Sequence, residues 1–228
     1  MQVKVVSITK SLIDGAPDMS AEELIVYAAR VSNPANQMNL ETSDKLLKYL
    51  IKNKHWSPLD MVDMTVEVKT SRAIAQQILR HWSHRFQEFS QRYAEVVEME
   101  DVQLRKTGVT NRQSSSEEFD PEIQVDAGND YVPYDRASLA INDHLQYCQN
   151  LYKALLNAGV AKECARMVLP LTTQTTIYMK ASARSWFHYL EQRLDVHSQL
   201  EHRHVAQSIL EIYKEHFPNL SSALTYEQ

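Results

Sequence analysis

Glycine is scarce in this chain. Only four occur among 228 residues, at positions 15, 108, 128 and 159, and they assemble neither a Gly-rich phosphate loop nor a dinucleotide fingerprint. Any nucleotide must then be held by side chains and helix ends. Cysteine is scarcer still. Cys148 and Cys164 are too few, and wrongly spaced, for a disulfide framework or a thiolate metal site. Cys148 falls on the apolar stripe of a long helix and reads as a small buried hydrophobe. Cys164 stands two residues before Arg166, but no His adjoins it in sequence to activate a nucleophile. No run of 18 apolar residues exists, which excludes a membrane-spanning helix. The opening MQVKVVSITK lacks the apolar core of a signal peptide, so the expected location is the cytoplasm. A net charge of -5 argues against a general nucleic-acid binder, and any basic cluster is therefore local and aimed at a small anion.

What is present describes an ordinary globular protein, with 43% hydrophobic and 23% charged residues. The length fits one domain, 1–228, with enough chain to bury a core. Residues 3–8 read as a strand, and Ser20 with Glu23 forms a capping box ahead of a helix ending near Pro34. A second helix is predicted over about 42–54. Val62, Met64, Val66 and Val68 then alternate with polar residues as in a half-buried strand. From Ala94 to Tyr134 periodicity fades, and Ser, Asn, Gly and charge predict a mobile loop, with 95–133 a lid or a solvated insertion. Residues 134–157 read as a long helix closed by Gly159, 161–170 as a helix stopped by Pro170, and 173–180 as a strand. Val205, Ile209, Ile212 and Tyr213 mark the apolar side of a last helix. The expected class is α/β of the α+β type, a mixed β-sheet packed with helices plus a helical bundle portion.

The stretch Arg72–Tyr93 stands apart. It opens as an amphipathic helix through Ile74, Ile78 and Leu79, then places Arg80, His81, His84, Arg85, Glu88 and Arg92 among Ser83, Gln87, Ser90 and Gln91. Arg and His outnumber the single carboxylate, and the spacers donate and accept hydrogen bonds. That is the composition of an anion pocket, where guanidinium forks meet phosphate bidentately. A second cluster follows in 184–201, with Arg184, His188, Arg193, Asp195, His197, Gln199 and Glu201, and Arg166 lies between the two in sequence. Nine histidines raise a metal site, but neither His-Glu-x-x-His nor a Cys pair occurs. No metal is expected, and His202 and His204 read as a solvated helix face.

These two clusters carry a resemblance to the flavin-dependent thymidylate synthases. Arg80-His81, the Gln87–Ser90 turn and Ser90-Gln91-Arg92-Tyr93 match the family's central signature, while Ala183-Arg184-Ser185 and the run Arg193-x-Asp195-x-His197-x-Gln199-x-Glu201 match its second. His55, Ser57 and Pro58 match a flavin-contacting loop, Asn111–Ser114 matches a segment after the central motif, and Ala29–Ser32 matches one near the family's N-terminus in a helix that reaches the active site. Alone, Arg30 reads as a surface ion pair. Departures are also present. Trp82 and Arg85 stand where the family has Arg and Ser, Leu59, Asp60 and Met61 follow Pro58, and Ser182 and His188 replace two Asn residues. If the backbone is helical here, residues 82 and 85 share a face, and a guanidinium has moved by one turn.

The resemblance implies reductive methylation of dUMP to dTMP, with 5,10-methylenetetrahydrofolate as carbon donor and NADPH-reduced FAD as hydride source. It implies that Gln77, Arg80, Glu88, Phe89, Ser90, Gln91, Arg92, Arg166 and Arg193 bind dUMP, with Arg193 catalytic. It implies that Ser57, Arg80, His81, Trp82, Glu88, Ser182, Ala183, Arg184 and His188 line FAD in a homotetramer whose neighbouring subunits share sites. The departures keep two alternatives open: flavin-dependent alkylation of a different uridine nucleotide, and a non-catalytic flavin- or nucleotide-binding relative.

Overall fold

Alternating side chains and local caps set the order of elements in the computed structural model, which describes residues 1–95, 98–109, 114–128 and 130–226. The first strand, β1 (Gln2–Ile8), precedes α1 (Ala21–Ala29). The expected capping box starts that helix: Ser20 Oγ accepts from the Glu23 amide, and Glu23 accepts from the Ser20 amide. Next come α2 (Ser43–Lys52) and a 3-10 turn at Ser57–Met61. The predicted strand is β2 (Asp63–Ser71), and it runs directly into α3 (Arg72–Ile78).

Here the structure departs from the sequence reading. Helix α3 stops at Ile78, residues 82–84 are turn and bend, and Arg85–Glu88 form strand β3. Residues 82 and 85 therefore do not share a helical face, and Gln87 and Glu88 are not in a turn. Tertiary pairing overrides the helical pattern, because β3 lies antiparallel to β8 (below), with Phe86 opposite Met179 and Glu88 opposite Ile177. The stretch read as a loop holds two hairpins, β4 (Arg105–Thr107) with β5 (Ser115–Glu118) and β6 (Ile123–Asp126) with β7 (Tyr131–Tyr134). The match at Asn111-Arg112-Gln113 lies outside the described residues.

Then follow α4 (Ala137–Asn157), α5 (Lys162–Ala165), β8 (Gln174–Ser182), α6 (Ala183–Leu194), α7 (Leu200–His216) and α8 (Pro218–Ser221). Gly159, at φ 85°, supplies the left-handed residue that ends α4. The helix expected over 161–170 is shorter, because α5 tightens into a 3-10 turn at Arg166–Val168.

The chain forms two compact units. Unit 1 comprises 1–69, 76–88 and 176–228, and unit 2 comprises 70–75 and 89–175. The four-stranded sheet has the order β1-β2-β8-β3. In unit 1, Met64, Val66 and Val68 of β2 and Ile177 and Met179 of β8 are fully buried, each contributing about 1.5–3 kcal/mol of apolar transfer. Helices α6 and α7 pack together and add Trp186, Phe187, Leu190, Val205, Ile209 and Tyr213 to this core. Polar atoms are matched even here. Trp186 Nε1 donates to the Met64 carbonyl at 2.9 Å, and Tyr213 Oη to that of Ala183 at 3.1 Å. In unit 2, α4 buries Cys148 and Tyr152, so Cys148 is the small hydrophobe expected. Among the described residues, no helix is long and apolar enough to cross a membrane.

Candidate active site

Helix α6 ends by delivering Arg193 to the residues that follow α3. The Arg193 Nε–H donates to His81 Nε2 at 2.9 Å. An accepting Nε2 fixes His81 as the neutral tautomer protonated on Nδ1. Burial, and then the charge of Arg193, push its pKa down to about 4, so the imidazole stays neutral at physiological pH. Burial also lowers the pKa of Arg193, and the nearby Arg80 charge lowers it further. Among the described residues, neither Arg80 nor Arg193 forms an ion pair, and the half-buried Arg193 is held by a neutral ring. Two guanidinium groups in mutual repulsion, with no counter-ion among the described residues, make a candidate anion site.

Behind this pair runs a relay that the sequence did not announce. His202, expected on a solvated face, is fully buried. The buried Tyr189 hydroxyl donates to His202 Nε2 at 3.1 Å, and His202 Nδ1–H donates to Gln77 Oε1 at 3.3 Å. Gln77 Nε2 donates to Gln199 Oε1 at 2.6 Å, and Gln199 Nε2 to Glu201 Oε2 at 2.9 Å. Each donor has one acceptor, and the chain leads outward to a carboxylate. Burial drives the His202 pKa to about 3, which keeps the ring able to accept from Tyr189. His84 is also buried, its pKa pushed to about 3, with its ring 4.8 Å from that of Trp186. The signal for His202 was its spacing, since 202, 205, 209 and 213 share one stripe of α7.

Two of the proposed flavin residues of unit 1, Ser182 and Arg184, meet one carboxylate. Ser182 is the N-cap of α6, and its Oγ donates to Asp60 Oδ1 at 2.8 Å. Arg184 Nη1 reaches Asp60 Oδ2 at 3.1 Å, and the Ala183 amide bonds the Val62 carbonyl at 2.8 Å. Asp60, a departure from the family motif, thus ties the Ser57 turn to the start of α6. His188 lies with its ring 4.6 Å from that of Trp56. Trp82 is 88% exposed. Arg85 has not moved into its place: Nη1 of Arg85 donates to the carbonyls of Trp82 and His84 at 3.2 and 3.1 Å, bracing the turn.

Unit 2 holds the other proposed nucleotide residues. Phe89 and Ser90 are exposed, while Gln91 is buried, and its Nε2 has no partner among the described residues. Arg92 Nη2 meets Glu163 Oε2 at 3.1 Å across an exposed surface. Arg166, expected among apolar neighbours, is half-buried, and its Nε lies 3.4 Å from the Glu163 carbonyl. Cys164 is exposed.

The chain is similar to known proteins over nearly its whole length. Residues 12–219 match the family described as thymidylate synthase complementing protein. A probable flavin-dependent thymidylate synthase of Paramecium bursaria Chlorella virus 1 is 46% identical over 230 residues, covering 99% of this chain and all of that protein. The flavin-dependent thymidylate synthase of Synechocystis sp. is 45% identical, with 99% of this chain and all of that one covered. In fold the chain is similar to a UMP/dUMP methylase, PolB, from Streptomyces cacaoi bound with 5-Br dUMP, at TM-score 0.75 and 23% identity over 97% of this chain and 93% of that one. With the match running through both arginine clusters and nearly the whole length, the chain belongs to the thymidylate synthase complementing protein family, that of the flavin-dependent thymidylate synthases.

Proposed function

We propose that this protein is a flavin-dependent thymidylate synthase that methylates carbon 5 of dUMP, taking the carbon from 5,10-methylenetetrahydrofolate and its reducing equivalents from NADPH through FAD. One observation carries the reading: the carboxylate-free pair Arg193 and Arg80, with Arg193 held by neutral His81. Such a guanidinium is aimed before substrate arrives, and it stabilises negative charge that develops as the uracil is polarised. No cysteine nucleophile is called for; Cys148 is buried and Cys164 exposed.

The donor set fits a flavin. Ser57 offers an exposed hydroxyl, Trp82 and His188 exposed rings, and Arg80 an exposed cation, which suits a ligand with a flat heterocycle and a pyrophosphate. Ser57, Arg80, His81, Trp82, Glu88, Ser182, Ala183, Arg184 and His188 would hold it. When bound, FAD supplies the hydride. The chain's own work is to bind and orient the reactants and to exclude water.

For dUMP, the proposed residues in unit 1 are Gln77, Arg80, Glu88 and Arg193, and in unit 2 Phe89, Ser90, Gln91, Arg92 and Arg166. The buried unpaired amide of Gln91 supports this, because such a donor calls for an acceptor. We read residues 95–133, with their two exposed hairpins, as the lid of a single functional domain. A homotetramer is part of the same proposal, as is a cytoplasmic location, which two free cysteines suit. Tritium release from dUMP labelled at carbon 5, with the folate and NADPH present, tests the reaction. Flavin-loaded protein that releases none would show that another pyrimidine is the substrate, and colourless protein that takes up no FAD would remove the enzyme reading.

A further inference from the structure

The line of hydrogen bonds behind Arg193 lies wholly in unit 1, and its direction is set at its outer end. The Glu201 carboxylate only accepts, so Gln199 turns Nε2 toward it and Oε1 away. That Oε1 takes a hydrogen from Gln77 Nε2, which leaves Gln77 Oε1 facing His202 Nδ1 at 3.3 Å. A carbonyl oxygen there calls for a proton on Nδ1. Burial keeps the ring neutral, so Nε2 is bare and accepts from the Tyr189 hydroxyl. Reversing the line would set Gln199 Oε1 against the carboxylate. A glutamine amide has two ends of nearly equal size, one donating and one accepting, and here they are held one way round. The Gln77 carbonyl points inward to fully buried His202. Its Nε2 carries two hydrogens and gives one to Gln199, so one N–H remains on this half-buried residue.

We propose that His202 is a positioning residue for the nucleotide: it holds the Gln77 carbonyl so that the Gln77 amide meets substrate only as a donor. The matching group is an acceptor oxygen of a uracil carbonyl, a sugar hydroxyl or a phosphate, and a ring N–H or exocyclic amino group is rejected. The role rests on the contact proposed above between Gln77 and dUMP. Gln77 stands one turn before Arg80 in the chain, its backbone carbonyl accepting from the Arg80 amide at 3.4 Å. Like Arg193, it is aimed by a neutral histidine before the ligand arrives. An amide ordered in advance loses little rotamer freedom on binding. His202 itself is shut off from solvent, so it acts through Gln77 and not by contact.

Calorimetric titration of dUMP into the full-length, FAD-loaded protein tests this role, because two amide replacements of His202 separate its two bonds. The Asn nitrogen hangs from Cγ, as Nδ1 does, and still donates to Gln77; the Gln nitrogen lies one bond farther, as Nε2 does, and meets Tyr189 instead. His202→Asn is expected to bind dUMP within about three-fold of the native protein, and His202→Gln and His202→Phe about five- to ten-fold more weakly. In turnover the loss should appear in KM with kcat retained. Thermal stability follows a different order, since Asn leaves the largest void, and this separates aiming from packing. With Gln77→Ala already in place, His202→Phe should change the dUMP Kd by less than about two-fold, because no amide is left to aim. Should the His202 variants fail to fold, Glu201→Gln frees the line to reverse from its outer end and should weaken dUMP about two- to five-fold. Native affinity in a folded His202→Phe or in Glu201→Gln would overturn the role, and so would an equal loss with and without Gln77. Native protein that binds UMP and not dUMP would displace the proposed substrate alone, with the same series then read in UMP, whereas binding of neither nucleotide would remove both proposals.

Discussion

Two arginines of this protein live under opposite rules. Arg193 in unit 1 is half-buried, meets no carboxylate among the described residues, and is aimed by a histidine that burial keeps neutral. Arg92 in unit 2 is two-thirds exposed on its side chain and already paired with Glu163. Both belong to motifs that bind nucleotide in the family resemblance, but their energetics differ. The desolvated guanidinium loses little to rearrangement when an anion arrives, since its orientation is set by a neutral acceptor that does not compete for its charge. The exposed one has to exchange one anion for another, in water and under salt screening, where each pairing is worth about 0–1 kcal/mol. A charge aimed through neutral groups is suited to the reaction step, and a charge balanced by a surface carboxylate is suited to reversible capture.

The largest break in this contrast comes from Arg193→Ala. Loss of a preorganised charge at the reacting ring is expected to lower turnover by about 10²–10³-fold or more, while the flavin absorbance of the purified protein is retained. Turnover near the native rate would remove Arg193 from the chemistry. Acid is the next lever. His81, His84 and His202 have folded pKa values of about 4, 3 and 3, against 6.5 unfolded. The unfolded chain therefore binds more protons below pH 6.5, and stability is full above that value and declines as pH falls toward 4. Each ring adds up to about 1.4 kcal/mol per pH unit to the slope. Denaturant midpoints measured from pH 7.5 to 4.5 should fall steeply, and His202→Phe should flatten the curve. A pH-independent midpoint would mean that these rings are not neutral and buried. Smaller again is Tyr189→Phe, which leaves buried His202 Nε2 without its donor and should cost about 1–3 kcal/mol, read as a Tm lowered by several degrees. An unchanged Tm would show that the relay contributes nothing to stability.

Much of the contrast was legible in the sequence, but not all. Arg80, His81 and Arg193 sit in motifs whose composition alone marks an anion site, and the helices α1, α4 and α7 declared themselves through caps and stripes. His202 was misread because a histidine counts as polar until its partners are known, although its spacing with Val205 and Ile209 placed it on the buried side. Strand β3 was hidden inside a helical pattern, since what makes it a strand is its pairing with β8, ninety residues away in sequence. The hairpins were missed for another reason. Strands of three or four residues that are exposed on both faces, such as β5, have no alternation to show. Arg30 looked like a surface charge because nothing local reveals that it is buried, with Thr42 on one of its nitrogens and no partner for another among the described residues.

The smallest effect sharpens the comparison most directly. Glu163→Gln removes the carboxylate that holds Arg92 while keeping its shape, so stability should change by less than about 1 kcal/mol and the melting temperature should hardly move. If Arg92 captures nucleotide by exchanging partners, the variant no longer has to break the old pair, and KM for dUMP should fall about two- to five-fold with kcat unchanged. That gain should shrink as ionic strength rises, because salt screens the exposed pair in the native protein and leaves less to relieve. Arg193 has no carboxylate to remove among the described residues, so no matching gain is expected in unit 1. A native KM in Glu163→Gln at low salt would mean that Arg92 never leaves Glu163 for the substrate, and the division between an arginine that reacts and an arginine that captures would have to be redrawn around Arg166.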